Sequence, residues 1–431
     1  MTEREEIQKQ ITDTILTEKD LITLVSIRVG KTRSAINAIE KDESVLVAYP
    51  FITIGESWQK ELELVESKSK NITFTTFKGL KKYKDTDFDF LVIDEPQYLS
   101  DAQIKVLKTI KYKKRVGLTG TLKNSRIKAF QEELNWEIKY TYGLADAIRD
   151  KIVKDYEVNI HEVNFDPQHF EIYNAFGIHE KMSEHEVYTR YMKGIGWCER
   201  KKEELPNEYS KFDNIQKTLT SKVVNLLYNS MSLFESVEAF IKAHQNEKIL
   251  IYTLRTDIAD SLSDVSYHSK NKEEDNLERF KISKDGHMAT VNCIQAGVTI
   301  RYLNRVVCHS YESNTEKLHQ KLGRSLLYEY EGEKSIIDMF VLKDTIMERW
   351  VNLACKSLEQ EKIFFINGDR RETKIDRIKS KFPGKELYSY NGSICYFSHE
   401  EPNGPYINKH YRFIETPSKS YPLNSDKLIK L

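Results

Sequence analysis

The segment LITLVSIRVGKTRSA, residues 21–35, carries the first evidence for a fold. Its first seven residues form an apolar, β-branched run that predicts a buried strand. Residues 35–41, AINAIEK, then show the spacing of a helix. Gly30, Lys31 and Thr32 stand at the junction, where backbone N–H groups of the loop and of the helix start can bind phosphate oxygens. The segment therefore predicts a strand, a phosphate-binding loop and a helix in succession.

The loop departs from the usual pattern G-x-x-x-x-G-K-[ST] at two places. Val25 stands at the first glycine, and Arg28 occupies a position where such loops usually carry glycine. Taken alone, the motif also fits a strand, a turn and a helix with a surface lysine. As an ATP site, it would place Lys31 on the β and γ phosphates and Thr32 on Mg²⁺. The other loop residues predicted to contact the nucleotide are Arg28, Val29, Gly30 and Arg33.

A second motif, FLVIDEPQ at residues 90–97, is an apolar strand that ends in two carboxylates. Ligands of doubly wound sheets bind at the carboxyl ends of the strands. Asp94 is predicted to hold Mg²⁺, and Glu95 to polarise the attacking water. Such a strand end can also be merely solvated. Its position about 60 residues after Lys31, however, is typical of an ATPase.

Further apolar strands alternate with helical stretches, which indicates parallel sheets covered on both faces. The predicted strands are 44–50, 89–95, 114–120, 247–254, 287–294, 304–311 and 334–342. The predicted fold class is α/β, with two tandem RecA-like parallel-sheet domains and a small β-rich C-terminal region. The predicted domains are 1–155, 156–360 with a helical insertion near 165–225, and 361–431.

Composition places few limits on the partners. Lys plus Arg and Asp plus Glu are both 66, so any nucleic-acid surface must be a local basic strip. The five cysteines are far apart and form no C-x-x-C pair, which favours a reducing interior. The charged N-terminus is not a secretory signal, and no apolar run approaches the ~20 residues of a membrane span. We expect no membrane partner and a cytoplasmic location, which is the host cytoplasm for a viral protein.

The ordered motifs resemble those of superfamily 2 helicases and translocases, of the kind common in bacteriophages. The resemblance covers roughly residues 1–355, and the ordered series is more specific than any single motif. The matching stretches, in chain order, are VGKT, VAYPFITIGESWQKE, FTTFKGL, DEPQ, LTGT with Asn124, ILIYTLRTDIADSL, CIQAGVTI and HQKLGRSLL. The resemblance implies hydrolysis of ATP with Mg²⁺ between two RecA-like domains. It also implies movement on, or remodelling of, single-stranded, branched or duplex DNA with little sequence preference.

The resemblance assigns further residues. Gln8 would read adenine, although it also fits a solvated helix position. The catalytic set would be Lys31, Asp94, Glu95, Gln97, Gln320 and Arg324, and Gly297 would approach the nucleotide. Thr119, Gly120 and Thr121 would couple hydrolysis to movement. The residues implied to contact nucleic acid are Pro50, Thr76, Lys78, Arg255 and Thr256.

Two departures from the family pattern keep alternatives open. Position 327, where relatives carry a second arginine, is leucine, and Ala296 stands where many relatives have an acidic residue. Losing an arginine finger can cost ~10³-fold in rate. Either Arg324 suffices, or Arg301 or Arg305 substitutes, or the protein is a weakly hydrolysing nucleic-acid clamp. RNA remains the alternative substrate, although the D-E-x-Q box favours DNA by resemblance. The oligomeric state cannot be read.

Two other segments combine basic and aromatic residues. Residues 362–431 contain 13 Lys and Arg against 8 Asp and Glu, with 11 Phe and Tyr. This composition suits contact with DNA, although the aromatic residues also fit the core of a small domain. The stretch YTRYMKGIGWCERKK at 188–202 has the same two interpretations: a DNA-facing insertion or an amphipathic packing helix.

Overall fold

The computed structural model describes most of the chain, and its contacts divide the chain into two compact units. The first unit comprises Met1–Asp155, Ile294–Leu303 and Gln320–Ser335. The second comprises the three segments between and after these. The described residues are 2–65, 71–271, 274–291, 298–311, 313, 315–327, 333–390, 393–397, 411–413 and 428–430.

The first unit is built on a six-stranded sheet in which every neighbouring pair is parallel. Its strands are β1 (Asp20–Val25), β2 (Val45–Tyr49), β3 (Ile72–Thr76), β4 (Asp87–Asp94), β5 (Lys111–Thr119) and β6 (Ile138–Tyr142), in the order β3-β2-β4-β5-β1-β6. The helices of this unit are α1 (Glu3–Thr17), α2 (Lys31–Asn37), α3 (Ile52–Leu64), α4 (Asp101–Leu107), α5 (Asn124–Leu134) and α6 (Leu144–Arg149). Because consecutive parallel strands need crossover connections, helices cover the sheet, and its central strands are buried.

In the core of the first unit, Trp136 packs against β1 and β5. The Trp136 ring is fully buried, and its indole N–H donates to the Leu21 carbonyl at 2.7 Å. Gly117 in β5 makes room for it, because a Cβ at Gly117 would stand 2.7 Å from the ring. Phe130 of α5 packs edge-on against Trp136, with the ring centroids 5.5 Å apart. One helix is thereby fixed on the sheet beside the strand that ends at Thr119.

The second unit contains an eight-stranded sheet. Its strands are β7 (Asp155–Val163), β10 (Lys248–Tyr252), β11 (Ser266–Tyr267), β12 (Gly286–Thr290), β13 (Arg305–Cys308), β14 (Lys334–Leu342), β15 (Ile363–Asn367) and β16 (Arg370–Thr373), in the order β11-β12-β10-β13-β14-β7-β15-β16. The central pairs are parallel, and only the edge pair β15–β16 is antiparallel among the pairings described. Its helices are α9 (Met231–Ala243), α10 (Thr256–Leu262), α11 (Glu274–Ile282), α13 (Ile346–Ala354) and α14 (Lys374–Lys381). Helix α12 (Thr315–Ser325) belongs to the first unit from Gln320 onward.

The insertion between β7 and α9 is only partly helical. It starts with a hairpin of β8 (Phe170–Ala175) and β9 (Ile178–Ser183) and continues as α7 (Glu184–Glu204) and α8 (Tyr209–Asn229). The buried Glu184 carboxylate accepts hydrogen bonds from Ser230, Met231 and Ser232 at 2.6–2.8 Å. This contact joins the start of α7 to the first turn of α9 and anchors the insertion on the second unit.

The C-terminal residues form two different structures. β15 and β16 extend the second sheet, and Arg377 of α14 is held there by an ion pair with Glu162 at 2.6 Å. A separate antiparallel sheet follows, with β17 (Leu387–Tyr390), β18 (Ser393–Phe397), β19 (Tyr411–Phe413) and β20 (Leu428–Lys430) in the order β19-β18-β17-β20. The predicted C-terminal region therefore begins inside the second sheet.

The predicted fold class is confirmed, with two parallel α/β sheets and a small β-rich C-terminal sheet. The domain boundaries stay a prediction. Among the helices that the structure describes, none is both long and apolar enough to cross a membrane.

Candidate active site

The candidate site lies at the carboxyl edge of the first sheet. β4, β5 and β1 are neighbours, and they end at Asp94, Thr119 and Val25. Because parallel strands end at the same edge, the loops that follow them meet there. The sheet thus brings together the phosphate-binding loop, the carboxylate pair and the coupling segment, which are far apart in sequence.

The loop between β1 and α2 has a constrained backbone. Arg28 and Gly30 have φ angles of 68° and 109°, both in the left-handed region. The Gln8 side-chain amide donates to the Val29 carbonyl at 2.8 Å, and a Cβ at Gly30 would stand 2.1 Å from Gln8 Nε2. Glycine is therefore required at position 30, because a side chain there would collide with Gln8. Gln8 contacts the loop from helix α1, and its role in reading adenine stays a prediction.

Lys31 begins helix α2 and turns back toward the sheet. Its ammonium donates to the Val25 carbonyl at the end of β1, over 3.1 Å. Gly120 is close on the other side, since a Cβ there would stand 3.6 Å from Lys31 Nζ. The ammonium is thereby placed beside the ends of β1 and β5.

Asp94 is a buried carboxylate, only 6% exposed. Burial, and after it the neighbouring Glu95 charge, raise the pKa of Asp94 to about 7, although the Trp58 indole and the Lys31 ammonium oppose this shift. The indole N–H of Trp58 donates to Asp94 Oδ2 at 2.8 Å. Trp58 was missed as a site residue. Its place in the amphipathic helix α3 predicts burial, but nothing in the sequence pairs it with Asp94.

Glu95 belongs to a polar network that continues into the coupling segment. The Gln97 amide donates to Glu95 Oε2 at 2.5 Å, and Thr119 Oγ1 lies 2.9 Å from Gln97 Oε1. Thr119 Oγ1 also lies 2.8 Å from the Thr121 carbonyl and accepts from the Thr121 N–H at 3.2 Å. The network connects the end of β4 with the end of β5.

The donor set fits a magnesium ion. Mg²⁺ prefers carboxylate and hydroxyl oxygens, and a buried carboxylate with a raised pKa is stabilised by a cation. Asp94 and the Thr32 hydroxyl at the start of α2 would hold the ion, and Asp94 Oδ2 already accepts from Trp58. When bound, the ion would neutralise phosphate charge.

Arg28, which replaces the usual glycine, reaches the segments of the first unit that come from the second half of the sequence. Its guanidinium donates to the Gly323 carbonyl at 3.1 Å, to Thr299 Oγ1 at 2.7 Å and to the Val298 carbonyl at 3.4 Å. The Arg324 guanidinium donates to the same Val298 carbonyl at 2.7 Å. Both arginines therefore converge on one backbone carbonyl.

Two more contacts join α12 to the loops of the first unit. The Gln320 amide donates to the Tyr98 hydroxyl at 2.7 Å, just after the carboxylate motif. A Cβ at Gly323 would stand 2.4 Å from Ile27 Cδ1, so the helix approaches the phosphate-binding loop through a glycine. Tyr98 was also missed, because an isolated tyrosine after a strand has no pattern that predicts a partner.

The structure also shows the surroundings of the two arginines that could replace the missing one, and of the leucine that stands at its position. Arg305 is bound within the second sheet by ion pairs to Asp338 at 2.5 Å and Glu247 at 2.6 Å, which it would have to leave to act as a finger. Arg301 is exposed. Leu327 pairs with Val153 through an isolated backbone bridge.

The remaining predicted residues of the first unit have different surroundings. Arg33 forms an ion pair with Glu61 at 2.5 Å, directed toward helix α3. Pro50, Thr76 and Lys78 follow or end β2 and β3, so they lie at the same carboxyl edge as the site. Gly297, with Ala296, lies outside the described residues.

Arg255 and Thr256 lie after β10 in the second unit. The Arg255 guanidinium donates to the Asp257 carboxylate at 2.9 Å and lowers the pKa of Asp257 to about 2. Arg255 is therefore already paired with a carboxylate, which a phosphate would have to displace.

The chain matches no protein-family model, and no curated protein matches its sequence. It is similar in structure to the ATP-dependent Type ISP restriction-modification enzyme LlaBIII bound to DNA, with a TM-score of 0.53 and 12% identity over 89% of this chain, and it spans 32% of the length of that chain. It is also similar to S. cerevisiae Dbp5 bound to RNA and ADP BeF3, with a TM-score of 0.53, 11% identity, and coverage of 87% of this chain and 92% of that one. These likenesses show the fold alone: the chain shares the α/β architecture of tandem parallel sheets with those two structures.

Proposed function

We propose that the protein is a nucleic-acid-dependent ATPase that uses ATP and Mg²⁺ to move on or remodel DNA, as a phage-type superfamily 2 helicase or translocase. The observation that carries the proposal is the convergence of Lys31, Asp94, Glu95, Gln97 and Thr119 at one edge of the first sheet. A chance match to the loop motif would not bring a buried carboxylate and a base with an orienting amide to the same place.

Each residue has a role that its contacts suit. Lys31 would leave the Val25 carbonyl and supply charge to the phosphates. Glu95 would accept a proton from the attacking water, with Gln97 holding its carboxylate in position. Thr119 and Thr121 would transmit changes at Glu95 to the chain that follows β5, because they share hydrogen bonds with Gln97. Arg324 would stabilise the charge that develops on the γ phosphate.

DNA is the proposed substrate, and the contacts would be mainly to phosphates. Pro50, Thr76 and Lys78 at the ends of β2 and β3 offer a hydroxyl and a cation for this purpose. The D-E-x-Q box favours DNA by resemblance, and RNA duplexes provide the second arm of the test. A cytoplasmic location, in the host for a viral protein, goes with this proposal.

A second candidate function is a nucleic-acid clamp with slow turnover. It is favoured by one observation: position 327 is a leucine whose backbone is bridged to Val153, so this position offers no cation. The clamp would bind ATP and nucleic acid through the same residues, and it would differ only in turnover.

The test is ATP turnover by the purified protein with no nucleic acid and with forked DNA, a four-way junction, a flap and an RNA duplex. We expect stimulation by DNA, loss of turnover in Lys31→Ala, and ATP binding with turnover at least ~100-fold lower in Glu95→Gln. Glu132→Gln, an exposed glutamate on α5, serves as the matched control and should behave as wild type.

Near wild-type turnover by Lys31→Ala would remove the phosphate-loop assignment. Tight ATP binding without turnover on any nucleic acid would instead identify the clamp.

A further inference from the structure

The aromatic side chains that stand out into solvent are concentrated in the insertion of the second unit. In the part of the chain that the structure describes, the exposed aromatic residues are Phe170, Phe176, Trp197 and Tyr209. All belong to the hairpin β8–β9 or to α7 and α8, and none belongs to the candidate ATP site. Exposed aromatic groups gathered on one structure indicate a binding surface.

Two of these rings line a cleft between the hairpin and α7. The cleft has a volume of about 340 Å³ and is lined by Tyr173, Phe176, Arg190, Lys193, Gly194 and Trp197. Phe176 meets Trp197 edge-on with 5.7 Å between ring centroids, and Trp197 meets Phe212 in the same way at 5.4 Å. The volume lies at the lower end of the range for ligand sites.

The backbone at Phe176 is strained, and the Phe176 ring is half exposed. Phe176 and Gly177 form the two-residue turn of the hairpin, with φ angles of 53° and 75°. A turn with two positive φ angles favours asparagine or aspartate before glycine, and a bulky residue there costs roughly 1 kcal/mol. The hairpin thus carries a 51% exposed phenylalanine at a position where folding alone favours another residue. Such strain at a surface site indicates a function.

Helix α7 is shaped to receive this ring. A Cβ at Gly194 would stand 3.0 Å from Phe176 Cε2 and 2.9 Å from Leu219 Cδ1, so only glycine leaves room. A glycine inside a helix costs about 1 kcal/mol relative to alanine. The helix and the turn therefore both carry an unfavourable residue, and both residues form the same cleft.

Cations border the aromatic rings. The Arg190 guanidinium lies 5.5 Å from the centre of the Tyr173 ring and is paired with Glu180 at 3.1 Å. Lys193 is exposed at the cleft and makes no ion pair with the described part of the chain. Lys222 donates to the Asn174 carbonyl at the end of β8, which adds a third cation beside the hairpin.

We propose that this cleft binds single-stranded nucleic acid, with bases stacked on Phe176 and Trp197 and the phosphates held by Lys193 and Arg190. Every base presents a π face, so aromatic stacking suits a strand of any sequence, and lysine and arginine complement its phosphates. A protein partner would also use aromatic residues, but a lysine beside the rings that makes no ion pair with the described residues favours an anionic strand. The site belongs to the second unit alone and does not depend on hydrolysis of ATP.

The first test is the affinity for a labelled oligothymidylate of about 15 nucleotides, measured by fluorescence anisotropy without ATP. We expect Trp197→Ala and Phe176→Ala each to weaken binding by about 5- to 100-fold. Tyr209→Ala is the matched control, because Tyr209 is an exposed aromatic residue of the same insertion that does not line the cleft. Its affinity should equal that of wild type.

The phosphate contact is tested through salt dependence. Each phosphate contact with a single strand contributes about 0.7 to the slope of log K against log salt concentration. We expect Lys193→Ala to reduce the slope by about that amount. Trp197→Phe should retain affinity within about 3-fold while abolishing the quenching of tryptophan emission by the oligonucleotide, since the other three tryptophans lie outside the cleft.

A final variant separates binding from folding. Phe176→Asn puts a residue that favours the left-handed region into the turn, so we expect a higher melting temperature together with weaker oligonucleotide binding. Wild-type affinity in both alanine variants, with no quenching that depends on Trp197, would overturn the proposal and leave the cleft to a protein partner. A lower melting temperature in Phe176→Asn would also contradict it, because the phenylalanine would then stabilise the hairpin.

Discussion

At the scale of single residues, Asp94 shows that the site costs stability. Its carboxylate is almost fully buried beside Glu95, and both burial and that second charge disfavour ionisation. The Trp58 indole offsets part of this cost by donating to Oδ2. A buried carboxylate with a raised pKa is a candidate for a functional role, and the role proposed for Asp94 is to hold Mg²⁺.

The first prediction is that Asp94→Asn stabilises the nucleotide-free protein at pH 8 while abolishing ATP turnover. Burial and the neighbouring Glu95 charge raise the pKa of Asp94 well above its ordinary value of 3.8, so the charged carboxylate destabilises the folded protein. We expect the substitution to raise the free energy of unfolding by roughly 1–3 kcal/mol. The free energy of unfolding is measured by chemical denaturation with a chelator present.

The pH dependence of that difference follows from the direction of the pKa shift. Above pH 7, Asp94 is charged in both the folded and the unfolded state, and the destabilisation is complete. As the pH falls from 7 toward 4, only the folded state takes up the proton, so wild type gains stability relative to Asp94→Asn. The two proteins should converge near pH 4. An Asp94→Asn protein that is less stable than wild type at pH 8 would contradict this account.

The second prediction concerns Arg324, whose guanidinium donates to the Val298 carbonyl. Leu327 removes the second arginine of the family pattern, so the cation at the γ phosphate should come from Arg324. We expect Arg324→Ala to lower turnover at least ~100-fold, about 2.7 kcal/mol of barrier, with a far smaller change in ATP affinity. Turnover and nucleotide affinity are measured separately, by steady-state kinetics and by binding of a non-hydrolysable analogue.

Arg305→Ala is the control for this prediction. Arg305 compensates the buried Asp338, so its loss should lower the melting temperature by leaving that carboxylate with one partner fewer. Normal DNA-stimulated turnover in Arg324→Ala would show that the cation comes from elsewhere, with Arg28 and Arg301 the next to test.

At the scale of elements, the C-terminal residues show where a sequence boundary and a structural boundary differ. The change in composition near residue 361 is real, but β15 pairs in parallel with β7 and belongs to the second sheet. The small antiparallel sheet begins only at Leu387. An apolar strand such as β15 looks the same whether it joins an earlier sheet or starts a new one, so composition cannot separate the two.

The third prediction follows from this topology. A protein ending at residue 385 keeps β15, β16 and α14 and should melt within a few degrees of full-length protein. A protein ending at residue 361 loses two strands and the Arg377–Glu162 ion pair, which exposes the edge of β7, and it should aggregate or melt well below wild type. Calorimetry distinguishes them. Equal stability of the two truncations would mean that β15 does not support the second sheet.

The protein ending at residue 385 also tests the basic and aromatic tail, because it leaves the second sheet intact. We expect the protein ending at 385 to bind DNA more weakly than full-length protein, with the loss shrinking at high salt because phosphate contacts release counterions. Unchanged affinity and salt slope would limit the tail to packing.

At the scale of the whole molecule, the chain contains two mainly parallel sheets, and each is associated with a different candidate site. The first sheet carries the candidate ATP residues at its carboxyl edge, whereas the second unit carries the insertion with its aromatic cleft. The net charge of zero gives no indication of these two different sites. Local cations such as Lys78 and Lys193, and not the net charge, would have to attract nucleic acid.

The sequence alone determined the fold class, and it supplied the candidate site residues, whose roles stay predictions. All eight strands that were predicted from apolar runs are present, because burial on both faces of a parallel sheet leaves a run that can be read locally. Lys31, Asp94 and Glu95 were predicted from motifs at or just after the ends of two such strands. The hairpin β8–β9 was missed inside a predicted helical insertion, because its exposed, polar strands lack that run.

Only the tertiary structure decided which distant residues meet. The hydrogen bond between Trp58 and Asp94, the contact of Arg28 with Gly323, the ion pair of Arg305 with Asp338, and the fit of Phe176 over Gly194 all join separate elements. Each depends on strand order, on helix rotation and on a side-chain rotamer, which no local pattern of residues encodes. Periodicity records which face of an element is buried, whereas packing of the whole chain selects what that face touches.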